Sequence, residues 1–332
     1  MTKRQTGERD VSLFEVALSV PAEDIEILLR ERCHVAWADF LLNPRRLRGS
    51  DFLMRWSQGV WSEERVVEAV SSTNEYFALP YGPSGTAPHD VREAELYFER
   101  LDNAGLAELK RPDLLVFRSA DGGAVTQAVQ DIGGVRELPF TREEHPAMDE
   151  LLRRATLAVE CETSLWRASR MPDYGARLRP MARLGGALGL KKSAVLPTVI
   201  VKEEDRNPLL AWQEQRGVEL HIWHVFYDMA FGLSLDRVEE LIRNGSIEPT
   251  EQVYQAPGGA TTRKIIYRIY YHYAYPVGSA REEPALVPDF IEDKNGHILP
   301  YVRFQGGGLA LDPEALRVLR SAEDRDANRP GR

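Results

Sequence analysis

Two short apolar runs bearing carboxylates constrain this chain more than any other feature. One is Leu114-Leu115-Val116-Phe117, preceded by Arg111-Pro112-Asp113. The other is Leu157-Ala158-Val159-Glu160-Cys161-Glu162-Thr163. Runs of this length, rich in branched side chains, are buried strands. Residues two apart in a strand share a face, so Glu160 and Glu162 project together while Val159 and Cys161 face the other way. Two carboxylates on one face of a core strand are unfavourable unless a cation neutralises them. With Asp113 on the neighbouring strand, three carboxylates converge. Hard oxygen ligands in such number suit Mg²⁺.

The surrounding pattern sets the fold class. Further strands are expected at 196–202 and 220–226, and helices at 144–154 and 207–216. Their alternation predicts an α/β fold with a mixed sheet flanked by helices. Residues 1–100 read as a helical part, with helices at 21–42, 62–71 and 90–101. The core is expected over 101–250, with the glycine-rich stretch 121–134 as a loop or weak hairpin. An added β region over 251–320 contains a long strand, Ile265 to Tyr275, and a hairpin signalled by Asn295-Gly296. A helix near 313–319 precedes a flexible tail at 321–332.

The 332 residues carry 42 Lys+Arg against 51 Asp+Glu, a net charge of −9. Such a total argues against a protein that coats nucleic acid, unless the cations are concentrated locally. No apolar run is long enough to span a membrane, and Met1 to Asp10 lacks the apolar stretch of a signal peptide. Two cysteines, Cys33 and Cys161, build neither a disulfide framework nor a structural zinc site, so a cytoplasmic location is expected.

Pro112-Asp113 followed by Glu160-x-Glu162 resembles the PD-(D/E)xK nuclease superfamily, and most closely the type II restriction endonucleases. The resemblance covers about residues 100–220. It implies Asp113 and Glu160 as metal-binding carboxylates in a Mg²⁺-dependent enzyme that hydrolyses double-stranded DNA. Glu162 stands where the family usually has lysine, and some restriction enzymes do use Glu there. Glu162 then serves as a base or a further ligand. A lysine from elsewhere can also enter, and Lys202 at the end of a neighbouring strand is the candidate. Palindromic DNA symmetry implies a homodimer. Alternatives stay open: a repair or modification-dependent nuclease, or a non-catalytic nucleic-acid-binding protein. The plainer structural alternative is carboxylates that merely end strands and pair with arginines such as Arg111 or Arg154.

The charge distribution supports a nucleic-acid partner. From Leu165 to Lys192 the cations are Arg167, Arg170, Arg177, Arg179, Arg183, Lys191 and Lys192, and the one acid is Asp173. A basic wall beside the catalytic strand suits phosphate contact. A second basic stretch, Tyr254 to Arg281, holds no acid and interleaves cations with tyrosines. Within it Thr262, Arg263 and Lys264 are candidates for contacts in a DNA groove, with a tyrosine-rich packing strand as the alternative. His221 and His224, three apart on a strand, should face opposite sides and share no metal. Cys161 should pack away from the carboxylates.

Overall fold

The computed structural model of the protein describes residues 44–83, 91–106, 109–255, 261–292, 296 and 298–327. The helix expected at 21–42 lies outside them. In chain order, α1 (Pro44–Ser71), β1 (Tyr76–Pro80), α2 (Val91–Ala104), β2 (Leu114–Arg118), α3 (Gly122–Ile132), α4 (Pro146–Arg154) and β3 (Leu157–Thr163) come first. A long loop with a minimal hairpin, β4 (Arg179–Pro180) and β5 (Leu188–Gly189), leads to β6 (Thr198–Lys202) and α5 (Glu203–Arg216). Then come β7 (Leu220–Val225), β8 (Met229–Ser234), α6 (Leu235–Arg243), β9 (Pro249–Gln255), β10 (Thr261–Tyr270) and β11 (Tyr275–Ala280). The chain continues through β12 (Ala285–Glu292), β13 (Ile298–Gln305), β14 (Leu309–Leu311) and α7 (Pro313–Ala327).

The fold is α/β with a mixed sheet, as expected. Its seven strands lie in the order β1-β2-β3-β7-β8-β11-β14. The first three form an antiparallel meander, and β7 runs parallel to β3 after a crossover through α5. All four apolar residues of β2 are buried, because helices and strands cover both faces of the sheet. One face packs on α3, α4, α5, α6 and the small sheet β6-β10-β9. The other packs on α1 and α7. Among the described residues no helix is long and apolar enough to cross a membrane.

Several expectations are corrected. Residues 122–132 are helix α3 rather than loop. Val125, Ala128 and Val129 form a buried stripe at helical spacing, and that burial outweighs the weak helix propensity of Gly122 and Gly123. Gly133 then ends the helix with a φ of 106°, which a side chain would resist. The tail expected at 321–332 is helical as far as Ala327. There Ala322 is buried, the Tyr76 hydroxyl donates to Glu323 at 2.9 Å, and Arg325 pairs with Glu219 at 2.7 Å. The boundary expected at 250 does not divide the fold either. Strands β11 and β14 complete the main sheet, while β6 leaves it to pair with β10. The long strand expected at 265–275 ends at Tyr270, and a 3₁₀ turn over Tyr271–Tyr273 passes the chain from the small sheet to the large one.

The two histidines part as the period of the strand requires. On one face His221 Nδ1 lies 2.6 Å from the Tyr275 hydroxyl, to which Trp223 Nε1 donates at 2.7 Å. On the other face His224 stacks on Phe226. Gly232 lies opposite both Trp223 and Tyr275, and a Cβ there would stand 2.6 Å from the Tyr275 ring. The ring is fixed by its hydroxyl partners and cannot withdraw. Gly232→Ala should therefore cost about 1–3 kcal/mol of stability, read as a lower urea midpoint. An unchanged midpoint would show that the strand absorbs the methyl.

Candidate metal centre

Asp113 immediately precedes β2. The register that sets Leu114 opposite Val159 carries Asp113 to the level of Glu160 and Cys161. Its Oδ2 accepts the Cys161 amide at 2.7 Å. Its carbonyl accepts the amides of Tyr81 and Gly82, at 2.8 and 3.3 Å. This approach needs glycine at 82, since a Cβ there would stand 2.5 Å from the Pro112 carbonyl oxygen. Behind this turn Arg111 is buried. Its Nη2 donates to the Thr141 carbonyl at 2.9 Å, and its Nε lies 3.1 Å from Glu143. The Asp113 backbone is thus held from both sides.

Glu160 and Glu162 project from β3 on the same face, as the strand period predicts. Cys161 packs against the opposite core. Strand β6 reaches this face over β7, tied by the Ile200 amide donating to His224 Nδ1 at 3.3 Å. It delivers Lys202, whose ammonium lies 2.6 Å from Glu162, and the first turn of α5 delivers Asp205. Lys110 reaches Glu160 from the segment before β2, at 2.5 Å. Carboxylate oxygens of Glu160, Glu162 and Asp205 lie within 4.8 Å of one another.

The arrangement separates the two readings of the carboxylates. Arg111 and Arg154 are engaged elsewhere, with Glu143 and with Glu150 and Asp121. Lysines pair with the strand carboxylates instead. Asp113, Glu160, Glu162 and Asp205 face two ammoniums, so with all four ionised the negative charge exceeds the positive by two. Glu160 is 5% exposed, and its second oxygen, Oε2, is buried without a hydrogen-bond partner. An acceptor so placed is unusual in a folded protein. A divalent cation bound by oxygens answers both the charge and the orphaned acceptor, so the residues fit Mg²⁺.

Proton affinities carry the same imbalance. Burial pushes the Asp113 carboxyl up to about 6, against the opposing pull of Lys110 and the Cys161 amide. Burial, then the charge of Asp113, raises Glu160 well above the usual carboxylate range. For Lys202, burial favours loss of the proton, but the charge of Glu162 prevails and holds it above the ordinary lysine value. Lys202 is therefore an ammonium at neutral pH and orients or stabilises rather than accepting a proton. His224 is lowered to about 3 by burial and by Lys202, and stays neutral beside them.

Two residues of this cluster were missed in the sequence, Lys110 and Asp205. Lys110 stands three residues before Asp113, and Asp205 stands three after Lys202 in a helix start. Both signals were readable but weak. Asp205, rather than Asp113, shares the tight oxygen cluster with the two glutamates, while one Asp113 oxygen is committed to an amide.

The basic loop between β3 and β6 leaves the sheet one residue after Glu162 and rejoins the fold at Thr198, the opposite end of β6 from Lys202. Arg167 pairs with Glu283 and lies over the Tyr227 ring, Arg183 pairs with Glu248, and Lys191 pairs with Asp173 at 3.3 Å. Arg170, Arg177, Arg179 and Lys192 are exposed. Among the described residues no acid pairs with Arg177, Arg179 or Lys192. In β10, Arg263 pairs with Glu251 and Lys264 with Glu204. The backbone of Thr262 pairs with Tyr254, and its side chain lies outside the described residues.

Tyrosines of the second basic stretch act as supports. Tyr271 stacks on Tyr174 and accepts the Gly175 amide at 2.9 Å, and the Tyr273 hydroxyl donates to the Leu188 carbonyl at 2.8 Å. They clamp the basic loop onto the sheet, because the 3₁₀ turn places them beneath it. No known protein family, curated protein or solved structure matches this chain.

Proposed function

We propose that the protein is a Mg²⁺-dependent endonuclease of double-stranded DNA, of the type II restriction class, working as a homodimer. The observation that carries this reading is the gathering of four carboxylates, Glu160, Glu162, Asp205 and Asp113, around two ammoniums, with an orphaned Glu160 oxygen, in a chain whose following loop carries Arg177, Arg179 and Lys192 without a described acid partner. Glu160, Glu162 and Asp205 would hold the ion, with Asp113 set against them. Bound there, Mg²⁺ supplies a lowered water pKa and charge neutralisation at a phosphodiester. Lys202 keeps its proton and orients Glu162, and Lys110 does the same for Glu160. Arg177, Arg179 and Lys192 offer charge to the phosphate backbone.

The direct test is incubation with phage DNA and Mg²⁺. Discrete fragments that disappear with EDTA are the expected result, and no cleavage of any duplex would sink the proposal. A second measurement needs no turnover. Mg²⁺ should raise the melting temperature at pH 8, since a ligand of the folded state alone stabilises it, by about 2.7 kcal/mol at a hundred times Kd. The increment should fade as the pH falls through about 6. Asp113 has a raised folded pKa, so the folded chain holds its proton between about 4 and 6 where the unfolded chain has lost it. Its ionisation disfavours the metal-free fold above that window, and the metal offsets that penalty only where the carboxylate is charged. An Mg²⁺ increment equal at pH 5 and pH 8 would contradict the assignment.

A further inference from the structure

Trp166 stands four residues beyond Glu162, at the start of the basic loop, and is 59% exposed. Tryptophan is highly buried on average, and among the other described tryptophans Trp61, Trp212 and Trp223 are buried and Trp56 is half-buried. The exposure does not come from a loose backbone. The Trp166 carbonyl accepts the Tyr227 amide at 3.1 Å, and the amides of Ala168 and Ser169 donate to Asp228 at 2.6 and 3.1 Å. Arg167, the next residue, is held between Glu283 and the Tyr227 ring. The ring is thus presented to solvent by a fixed segment.

Its surroundings define what it can bind. Leu165 and Leu188 on the same loop are also exposed. The same loop carries the exposed cations Arg170, Arg177, Arg179 and Lys192, three of which meet no described acid. Four residues of chain span at most about 14 Å, so Trp166 lies within a few nucleotides of a phosphate at the metal centre. Cations for a backbone on the same loop as an exposed aromatic face suit the stacking of a base. In an intact duplex both faces of an internal base are covered by its neighbours. A ring on a rigid segment gains its contact only when a base is unstacked or flipped out.

We propose that Trp166 is a base-stacking residue, and that the preferred ligand of this surface is DNA with an unpaired or displaced base beside the phosphate to be cut. This deepens the nuclease reading by naming its substrate class and rests on that reading for the position of the phosphate. The test is made in EDTA, where cleavage is silent, with the full chain and labelled short DNAs. One is fully paired, one carries a single unpaired base, and one is single-stranded.

Anisotropy should show about tenfold tighter binding to the DNA with the unpaired base than to the paired duplex, a factor typical of one stacked base. Tryptophan emission should be quenched on binding. Trp166→Ala should abolish both the preference and the quenching while leaving paired-duplex affinity within about threefold. Trp166→Phe should keep the preference and lose the quenching, since phenylalanine still stacks. Equal affinity for all three DNAs, or a preference that survives in Trp166→Ala, would overturn the proposal. So would a DNA-free dimer that Trp166→Ala converts to monomer, which would assign the ring to a second copy. If the preference holds but no DNA is cut when Mg²⁺ is supplied, the nuclease reading fails and the stacking site stands.

Discussion

Glu160→Gln should reduce DNA cleavage by at least about a thousandfold, and the protein should remain folded and bind DNA in EDTA as before. The magnitude follows from the metal's role. Charge stabilisation by a bound ion is worth several kcal/mol in the transition state, and each 1.36 kcal/mol is tenfold in rate. The substitution keeps the shape of the side chain and removes the charge that completes the site. Stability should move in the other direction or not at all. The Glu160 carboxylate is buried, raised well above its ordinary pKa and left with one oxygen unpartnered, so its ionised form burdens the metal-free fold at pH 8. Lys110, whose side chain is 29% exposed, can return to water or turn to Asp113 and Asp205. A variant that loses the Mg²⁺-dependent rise in melting temperature, with metal-free stability unchanged or higher, marks a residue kept for function. If Glu160 is instead a structural ion-pair partner, the metal-free protein will lose stability and the Mg²⁺ increment will persist. Those two results would refute the metal role.

Glu143→Ala should be the most destabilising single change near the site, by about 3–5 kcal/mol. Glu143 lies at the centre of a buried polar cluster. The Tyr81 hydroxyl and Trp212 Nε1 donate to it, the latter at 2.9 Å, and Arg111 and Arg216 pair with it. Arg111 is 2% exposed, so the substitution leaves a guanidinium buried with backbone carbonyls alone. Removing one member of a buried pair is worse than never having had the pair, because the remaining charge keeps its desolvation penalty. Urea unfolding measures the loss, with Glu144→Ala as the control. Glu144 is exposed, bonds its own backbone amide and makes a 3.5 Å contact with Arg216, so its loss should stay within about 0.5 kcal/mol. A loss below about 1 kcal/mol for Glu143→Ala would show that water reaches Arg111. The cluster abuts Pro112-Asp113 and joins α5 through Trp212, so the variant should also weaken Mg²⁺ binding.

These two residues show how unevenly the site was legible. The placement of Glu160 and Glu162 on one face of a strand, with Cys161 on the other, follows from the two-residue period of an extended chain and needed no tertiary information. The same holds for the strands around Leu114 and Leu157, whose apolar runs are too short for a helix. Glu143 carried no signal. It lies in an irregular stretch before α4, and only packing against Trp212 and Arg111 makes it a buried anion. Helix α3 was hidden for a related reason. Its glycines suggested a loop, and the stripe at Val125, Ala128 and Val129 gains its value only when α4 and the sheet are there to cover it.

The charge of −9 illustrates the same division. Local sums showed that the loop from 165 to 192 is basic, and the strand pattern singled out three acids with Lys202 as a candidate partner. Which cations meet which carboxylates was decided by partners 40 and 50 residues apart, Lys202 with Glu162 and Lys110 with Glu160. Those pairings depend on the reach of β6 across β7 and on the close approach of Gly82 to Pro112. By itself the sequence determined the α/β class, the strands around Leu114 and Leu157 and the faces their carboxylates take, because these depend on backbone period and side-chain polarity within a few residues. Tertiary structure alone decided that lysines rather than Arg111 or Arg154 face them, that Asp205 joins, and that four carboxyls share two ammoniums. Charge balance at a buried point is a sum over everything packed around it, and no segment of the chain contains that sum.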